Sequence, residues 1–388
     1  MGPIPASGAW REGDEPGRRM FAHLGPLHLE AGGRLPSVTM AYETWGQLNT
    51  RGDNAVLVLH ALTGDSHVTG DAGPGHPSAG WWSDLVGPGR PIDTDRWFVV
   101  APNVLGGCQG TTGPSSAAPD GTPWGSRFPY VTVRDQVAAE VELADQLGIG
   151  SWALVVGASM GGHRALEWAA GYPERVRRVA AIATTAQTSG DQIAWAHSQL
   201  GAIRADQRFR GGDYYGAADD DGPHLGLGIA RQIAHTTYRS ASELDERFGR
   251  LPQGGEEPLG GGGRFAVQSY LDHHAGKLSR RFDANSYVAL TESMLTHDLG
   301  RDRGGVASAL AGITARTLAV AVDSDRLFLP EQSERIADGV PDGELRVIRS
   351  AYGHDGFLIE FNQLGPIITE FLERDTEPET GLDPEYVI

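Results

Sequence analysis

The stretch WALVVGASMGGHRALEWAA, residues 152–170, decides the fold class of this chain. Its first part, 152–157, is a short continuous apolar run, which is typical of a strand buried on both faces of a parallel sheet. Its last part, 162–170, continues as a helix, and a G-x-S-x-G motif centred on Ser159 joins the two. We expect a sharp, strained turn there that lifts the Ser159 hydroxyl above the sheet and aims the Met160 amide at the same space. The motif's outer glycines are needed because neighbouring backbones approach closely.

Outward from this stretch, apolar runs alternate with helical patterns. We predict strands over 55–60, 97–104, 179–186, 317–322 and 345–348, and helices over 132–147 and 364–372. Alternation of this kind predicts an α/β fold with a mostly parallel sheet flanked by helices.

One long segment interrupts the alternation. It contains no convincing buried strand, and its helical patterns cover residues 192–205, 225–238, 265–274 and 285–297. We therefore predict one catalytic domain built from residues 1–187 and 300–388, with a helical lid inserted over 188–299. The polar ends, 1–20 and 373–388, are predicted to be loose.

A serine nucleophile needs a base, and the base needs an acid that orients it. In folds with this strand–turn–helix serine, the chain order is serine, acid, histidine. Asp323 and Asp325 follow the predicted strand 317–322, and His354 follows the next strand, 345–348. Asp323 lies near the strand end, and Asp325 lies just beyond it, where a carboxylate can reach an imidazole. We favour Asp325 and keep Asp323 as the alternative.

The loop after the early strand 55–60 is the expected source of a second oxyanion donor, beside the Met160 amide. We assign this role to the amide of Leu62. His60 is predicted to hold the loop rather than to take part in chemistry.

The composition excludes several classes of protein. The chain has 388 residues and a formal net charge of −18, which argues against nucleic-acid or anionic-membrane partners. A single cysteine, Cys108, excludes an internal disulfide and a cysteine-rich zinc site. The acidic and histidine run at 272–274 lacks a recognisable ligand spacing, so no metal is predicted. Without a secretory signal or a long apolar run, we predict a cytoplasmic protein.

Nine stretches closely resemble the homoserine O-acetyltransferase family, and the resemblance extends from about residue 23 to 372. They are LHALTGDSHVTG (59–70), GPGHPSAGWW (73–82), NVLGGCQGTTGPSS (103–116), WGSRFPYVTVRDQV (124–137), GASMGGHRALEW (157–168), ARQIAHTTYRS (230–240), the long stretch 266–298, DSDRLFLP (323–330) and YGHDGFLIE (352–360).

This resemblance implies an α/β-hydrolase fold with a helical lid, and a homodimer formed through that lid. It also implies transfer of an acetyl group from acetyl-CoA, a donor substrate rather than a bound cofactor, to the side-chain hydroxyl of L-homoserine in methionine synthesis. The family's nucleophile, acid and histidine correspond to Ser159, Asp325 and His354, which decides for Asp325. Its substrate-contacting positions correspond to Arg231 and Asp355.

These two residues suit an amino-acid substrate, because a guanidinium can hold the carboxylate and a carboxylate can hold the ammonium group. Relatives that use succinyl-CoA typically carry an arginine where this chain has Leu327, so acetyl is the favoured donor. Ala158 and Thr111 are minor departures from the family's usual glycine and serine.

The predicted mechanism is a ping-pong transfer through an acyl-serine. Three alternatives within the same fold remain open: an esterase, a serine O-acetyltransferase and a homoserine O-succinyltransferase. A catalytically silent binding protein is disfavoured because Ser159, Asp325 and His354 are all intact.

Overall fold

The computed structural model describes residues 2–374, and an eight-stranded sheet lies at its centre. In chain order the strands are β1 (Met20–Leu24), β2 (Val38–Trp45), β3 (Ala55–Leu59), β4 (Phe98–Pro102), β5 (Leu154–Ala158), β6 (Arg178–Ile182), β7 (Arg316–Val322) and β8 (Gly343–Ile348). Their spatial order is β1-β2-β4-β3-β5-β6-β7-β8. The strand β2 is antiparallel to both of its neighbours, and the pairs from β4 onward are parallel.

Ten α-helices accompany the sheet within the described residues. They are α1 (Val133–Gln146), α2 (Met160–Gly171), α3 (Gly190–Ala205), α4 (His224–Tyr238), α5 (Ala241–Arg247), α6 (Ala266–Ser279), α7 (Ala284–Leu295), α8 (Val306–Ala311), α9 (Pro330–Gly339) and α10 (Phe361–Glu373). None of those between residues 2 and 374 is long and apolar enough to cross a membrane.

Two hydrophobic cores cover the two faces of the sheet. One contains side chains of α1, α2 and α9, including Leu143, Trp168 and Ile336. The other contains Trp82 and the apolar face of α10, including Phe371. The strands between them are almost entirely buried, which explains their continuous apolar runs. The predicted α/β architecture is confirmed.

Helices α3 to α7 lie between β6 and β7, two strands that are adjacent and parallel in the sheet. A third core joins this helical insertion to the loops above the sheet: Leu227 and Tyr287 pack in one cluster with Leu62 and Met160. The insertion therefore covers the carboxyl ends of the central strands. The domain boundaries at 188 and 299 stay predictions.

The amino-terminal segment differs from the sequence prediction, which was wrong in describing residues 1–20 as loose. The Gly8 amide donates to the carbonyl of Phe282 at 3.2 Å, and the Ser7 hydroxyl donates to Asp283 at 2.7 Å. Small side chains such as Ala6, which is 7% exposed, allow the segment to pack closely against the insertion. The other predicted loose end, 373–388, lies from residue 375 onward outside the described residues.

One strand prediction also differs from the structure, and one pair of strands was missed. The strand predicted over 179–186 ends at Ile182, because Ala183 adopts a φ of 45° and turns the chain out of the sheet. The antiparallel edge formed by β1 and β2 was not predicted.

Candidate active site

Ser159 occupies a strained turn between β5 and α2. Its φ of 55° and ψ of −122° lie where a non-glycine residue is rarely found. The flanking glycines have no room for a side chain: a Cβ at Gly157 would lie 2.1 Å from the carbonyl oxygen of Gly161, and one at Gly161 would lie 2.0 Å from that of Leu59. The close approach of these backbones requires glycine on both sides of the turn.

The structure brings Ser159, His354 and Asp325 together. The Nε2 atom of His354 lies 2.9 Å from the Ser159 hydroxyl oxygen, and its Nδ1 atom lies 2.6 Å from a carboxylate oxygen of Asp325. The three residues are 3–5% exposed. They come from three separate elements: the turn after β5, the loop after β7 and the 3₁₀ helix at Gly353–Leu358. The arrangement can pass a proton from the hydroxyl to the imidazole.

The two candidate acids have different environments. Asp325 uses one carboxylate oxygen to accept from the amides of Leu327 (2.8 Å) and Phe328 (2.9 Å), which leaves the other oxygen for His354. Asp323 instead accepts from the amide of Ser350 at 2.9 Å. Asp323 therefore stabilises the loop that follows β8, whereas Asp325 faces the imidazole.

The protonation of His354 is set by opposing effects. Burial disfavours the charged ring, but the charge of Asp325 and the hydrogen bond to it outweigh burial, so the pKa of His354 lies above its ordinary value. Phe328 stacks on the ring with 5.2 Å between centroids, and Phe357 meets it edge-on at 5.3 Å. These contacts fix the plane of the imidazole.

The amides of Leu62 and Met160 are both available to a bound oxyanion. The close approach of Gly161 to Leu59 puts the loop after β3 against the turn that carries Ser159. Within residues 2–374 neither amide donates a hydrogen bond to another group of the chain. Met160 is the first residue of α2, so its amide lies at the positive end of the helix dipole.

His60 holds the start of this loop, which agrees with its predicted structural role. Its Nδ1 atom donates to the carbonyl of Ala61 at 2.8 Å, and its Nε2 atom accepts from the amide of Val104 at 3.1 Å. Burial and the nearby Arg164 charge lower the pKa of His60 to about 3, so the ring stays neutral.

Arg231 and Asp355 line one cavity of about 290 Å³. This cavity adjoins the catalytic group, because Asp355 directly follows His354 and the Arg231 guanidinium lies 5.4 Å above the ring of Tyr238. That ring is in turn 5.8 Å from the imidazole of His354. The cavity wall thus includes a cation and an anion close to the catalytic histidine. The ring of Tyr238 contacts both Arg231 and His354, and the sequence analysis did not identify it as a site residue.

Asp355 also has a partner within the protein. Arg239 lies 3.3 Å from its carboxylate, although the guanidinium is mainly engaged with Glu243 at 2.7 Å. Burial raises the pKa of Asp355 against the opposing charges of His354, Arg239 and Arg231. Among residues 2–374 only one carboxylate oxygen of Asp355 accepts a hydrogen bond, so the other can accept from a donor in the cavity.

Within residues 2–374, Glu43, His67 and His76 form a group of ligand-type side chains close enough to hold a metal ion. The two imidazoles are stacked, with 3.8 Å between centroids and 9° between planes, so their in-plane lone pairs do not converge on one point. Ser66 donates to Glu43 at 2.9 Å, and the Arg18 amide donates to Nε2 of His76 at 3.1 Å. The group is better described as a hydrogen-bonded network.

The acidic and histidine run that the sequence analysis considered, 272–274, makes other contacts. Asp272 accepts from Gln232 at 2.9 Å and pairs with Arg264 at 3.4 Å, and the ring of His274 packs against His235 at 4.1 Å.

The comparisons with known proteins place the chain in a family. Residues 54–361 match the family model described as the alpha/beta hydrolase fold. The homoserine O-acetyltransferase of Thermobifida fusca (strain YX) is 64% identical over 374 residues, which cover 96% of this chain and 98% of that protein.

Solved structures of two kinds resemble the chain. A homoserine O-acetyltransferase from Bacillus anthracis superposes with a TM-score of 0.84 at 26% identity, covering 92% of this chain and 97% of that one. The esterase E22 superposes with a TM-score of 0.83 at 27% identity, covering 92% and 99%. The high identity over nearly the full length shows that this chain is an enzyme of the homoserine O-acetyltransferase family, built on the α/β-hydrolase fold.

Proposed function

We propose that the enzyme transfers an acetyl group from acetyl-CoA to the side-chain hydroxyl of L-homoserine, giving O-acetyl-L-homoserine and CoA for methionine synthesis. The observation that carries this proposal is the hydrogen-bonded Ser159, His354 and Asp325 beside a cavity that contains Arg231 and Asp355. Acetyl-CoA acts as a donor substrate. Nucleophile, base and oxyanion donors all come from the chain, so the chemistry requires no metal or bound cofactor.

The first half-reaction acylates the serine. His354 takes the Ser159 proton at Nε2 while the hydroxyl oxygen attacks the thioester carbonyl carbon. The oxyanion of the tetrahedral intermediate accepts hydrogen bonds from the amides of Leu62 and Met160. The carbon–sulfur bond then breaks, and CoA leaves as the thiol with the proton that His354 returns.

The second half-reaction transfers the acetyl group to the acceptor. Arg231 binds the carboxylate of L-homoserine and Asp355 binds its ammonium group. His354 deprotonates the acceptor hydroxyl, whose oxygen attacks the acyl-enzyme, and the ester is released as Ser159 regains its proton. The helical insertion packs on the turn that carries Ser159, and shielding an acyl-enzyme from water favours transfer over hydrolysis.

Release of free thiol from acetyl-CoA, with and without L-homoserine, tests this proposal. We expect rapid release that depends on homoserine, and a fall of at least about 10³-fold in Ser159→Ala. The acetylated serine should appear as an added acetyl mass on the intact protein when homoserine is omitted. Full activity of Ser159→Ala would overturn the assignment.

Hydrolysis of esters is the second candidate function, and the structural resemblance to esterase E22 favours it. Thiol release at equal rates with and without an amino acid would make water the acceptor and the protein a hydrolase. Preference for L-serine over L-homoserine would identify a serine O-acetyltransferase.

The acetyl donor is proposed because Leu327 offers no partner for a succinyl carboxylate. A parallel assay with succinyl-CoA tests this choice, and a higher kcat/KM with that donor would make the enzyme a succinyltransferase.

We also propose a cytoplasmic homodimer formed through the insertion, which we delimit as residues 188–299. Apolar side chains on α3 and α4 support this interface, since Ile193, Leu225 and Ile229 are exposed. Light scattering on the purified protein measures the oligomeric state, and a monomer at micromolar concentration would contradict the proposal.

A further inference from the structure

A second arginine faces the cavity that contains Arg231. Arg281 follows α6 and lines the same cavity as Arg231 and Asp355. Its guanidinium donates to the backbone carbonyl of Thr63 at 2.9 Å, and Arg231 reaches the hydroxyl of the same threonine at 3.4 Å. The two arginines therefore meet at one residue, directly after Leu62.

Neither of these arginines has a carboxylate partner. Among residues 2–374, no aspartate or glutamate oxygen lies within 4.0 Å of Arg231 or Arg281. Two buried arginines of this chain have carboxylate partners: Arg239 pairs with Glu243 at 2.7 Å, and Arg164 pairs with Glu140 at 2.5 Å. The buried Arg19 instead donates to neutral oxygens of the chain. Burial lowers the pKa of Arg281 and the neighbouring Arg231 charge lowers it further, although the charge of Asp65, another residue of this cavity, opposes both effects. Two unpaired, partly buried cations that face one cavity create a site for an anion.

We propose that Arg281 is a second binding residue for the α-carboxylate of the acceptor, so that Arg231 and Arg281 hold one carboxylate between them. This inference rests on the proposed acetyl transfer to an amino acid. A planar carboxylate has lone pairs for two guanidinium groups, and each arginine has donors that its contact with Thr63 leaves free. Asp355 on the same cavity wall completes the charge pattern of a zwitterion.

The same two cations can also bind the carboxylate of a succinyl donor, so the source of the carboxylate has to be tested. We commit to the acceptor because the anionic group needed by its ammonium, Asp355, lines this cavity. A site for a dicarboxylic acyl group has no use for that anion.

The test compares L-homoserine with L-homoserinamide, in which a neutral amide replaces the carboxylate. The wild-type enzyme should prefer homoserine strongly, because the amide leaves both guanidiniums unpaired. In Arg281→Gln, kcat/KM for homoserine should fall roughly 10- to 100-fold, while the value for homoserinamide changes by less than about threefold. Arg281→Lys keeps the charge and should recover part of the preference. In both variants the KM for acetyl-CoA should stay within about twofold of the wild-type value.

Arg280→Gln is the matched control. This adjacent arginine donates instead to the carbonyls of Gly2 and Pro3, at 2.9 and 3.2 Å, and its removal should leave the acceptor preference unchanged.

Three possible results would contradict the inference or the function on which it rests. If Arg281 only supports the Thr63 loop, Arg281→Gln will lower the rates with both acceptors equally, and the inference is wrong. If Arg281→Gln raises the KM for the acyl-CoA but keeps the acceptor preference, Arg281 binds the donor instead, and the inference is also wrong. Absence of homoserine-dependent thiol release in the wild-type enzyme would instead reject the proposed function itself.

Discussion

Replacing Asp325 with asparagine tests the catalytic geometry with the smallest possible change. Two backbone amides, those of Leu327 and Phe328, donate to one oxygen of Asp325. Because these amides can only donate, the asparagine must direct its oxygen toward them. Its NH₂ group then occupies the position of the oxygen that lies 2.6 Å from Nδ1 of His354.

This reversal changes the tautomer of the histidine. An NH₂ group donates to Nδ1, so the ring proton must move to Nε2, the atom that lies 2.9 Å from the Ser159 hydroxyl oxygen. A protonated Nε2 cannot take the serine proton. Wrong-tautomer variants of serine triads lose about 10⁴-fold in kcat, so we expect a loss of that order in Asp325→Asn. It corresponds to about 5.4 kcal/mol of transition-state stabilisation at about 1.36 kcal/mol for each tenfold change.

The assay is thiol release from acetyl-CoA in the presence of saturating L-homoserine, with the thermal midpoint of each variant measured in parallel. Asp323→Asn is the control, since Asp323 accepts from the Ser350 amide and asparagine can do the same. We expect this control to retain activity within about fivefold. The reasoning is refuted if Asp325→Asn stays within about tenfold of the wild type while folded, or if Asp323→Asn loses as much.

Three further predictions concern stability, pH and the turn. Glu140→Leu leaves the fully buried Arg164 without its counter-charge, which should lower the free energy of unfolding by about 3–5 kcal/mol. For a chain of this length the thermal midpoint should fall by about 4–6 °C, and an unchanged midpoint would contradict the prediction. Only neutral His354 can accept the serine proton, and its pKa is raised, so kcat/KM should fall as the pH drops through an apparent pKa above 6.5. An acid limb centred well below that value would argue against His354 as the base. Gly161→Ala puts a Cβ 2.0 Å from the Leu59 oxygen, so both soluble yield and thiol release should fall sharply, and normal activity would show that the turn can widen.

Much of the fold was predictable because its signals are local. The central strands are buried on both faces, so their sequences are continuous apolar runs such as AVLVL in β3. The serine turn combines a strand end, a helix start and two close backbone approaches, each of which requires a particular residue type within five positions. The order serine, acid, histidine then limits where the other two residues can lie.

The elements that were missed depend on distant partners. The strand β1 pairs with β2, and the segment before it bonds to residues 220, 282 and 283, none of which its own sequence reveals. The early end of β6 results from the conformation of Ala183, a residue type that does not itself signal a turn. Arg281 was overlooked for a similar reason: only the fold shows that it faces Arg231 across Thr63 rather than solvent.

The choice between transferase and esterase depends on the cavity more than on the catalytic group. An acyl-serine reacts with water or with a bound alcohol at the same carbonyl carbon, using the same base and the same oxyanion donors. Binding the alcohol next to that carbon raises its effective concentration far above what collisions from solution provide. In this chain the groups suited to such binding are charged: Arg231 and Arg281 lack carboxylate partners, and Asp355 lies beside His354. Under the proposed function, these charges should favour a zwitterionic acceptor over water. They, rather than the residues that activate the serine, should then determine which product forms.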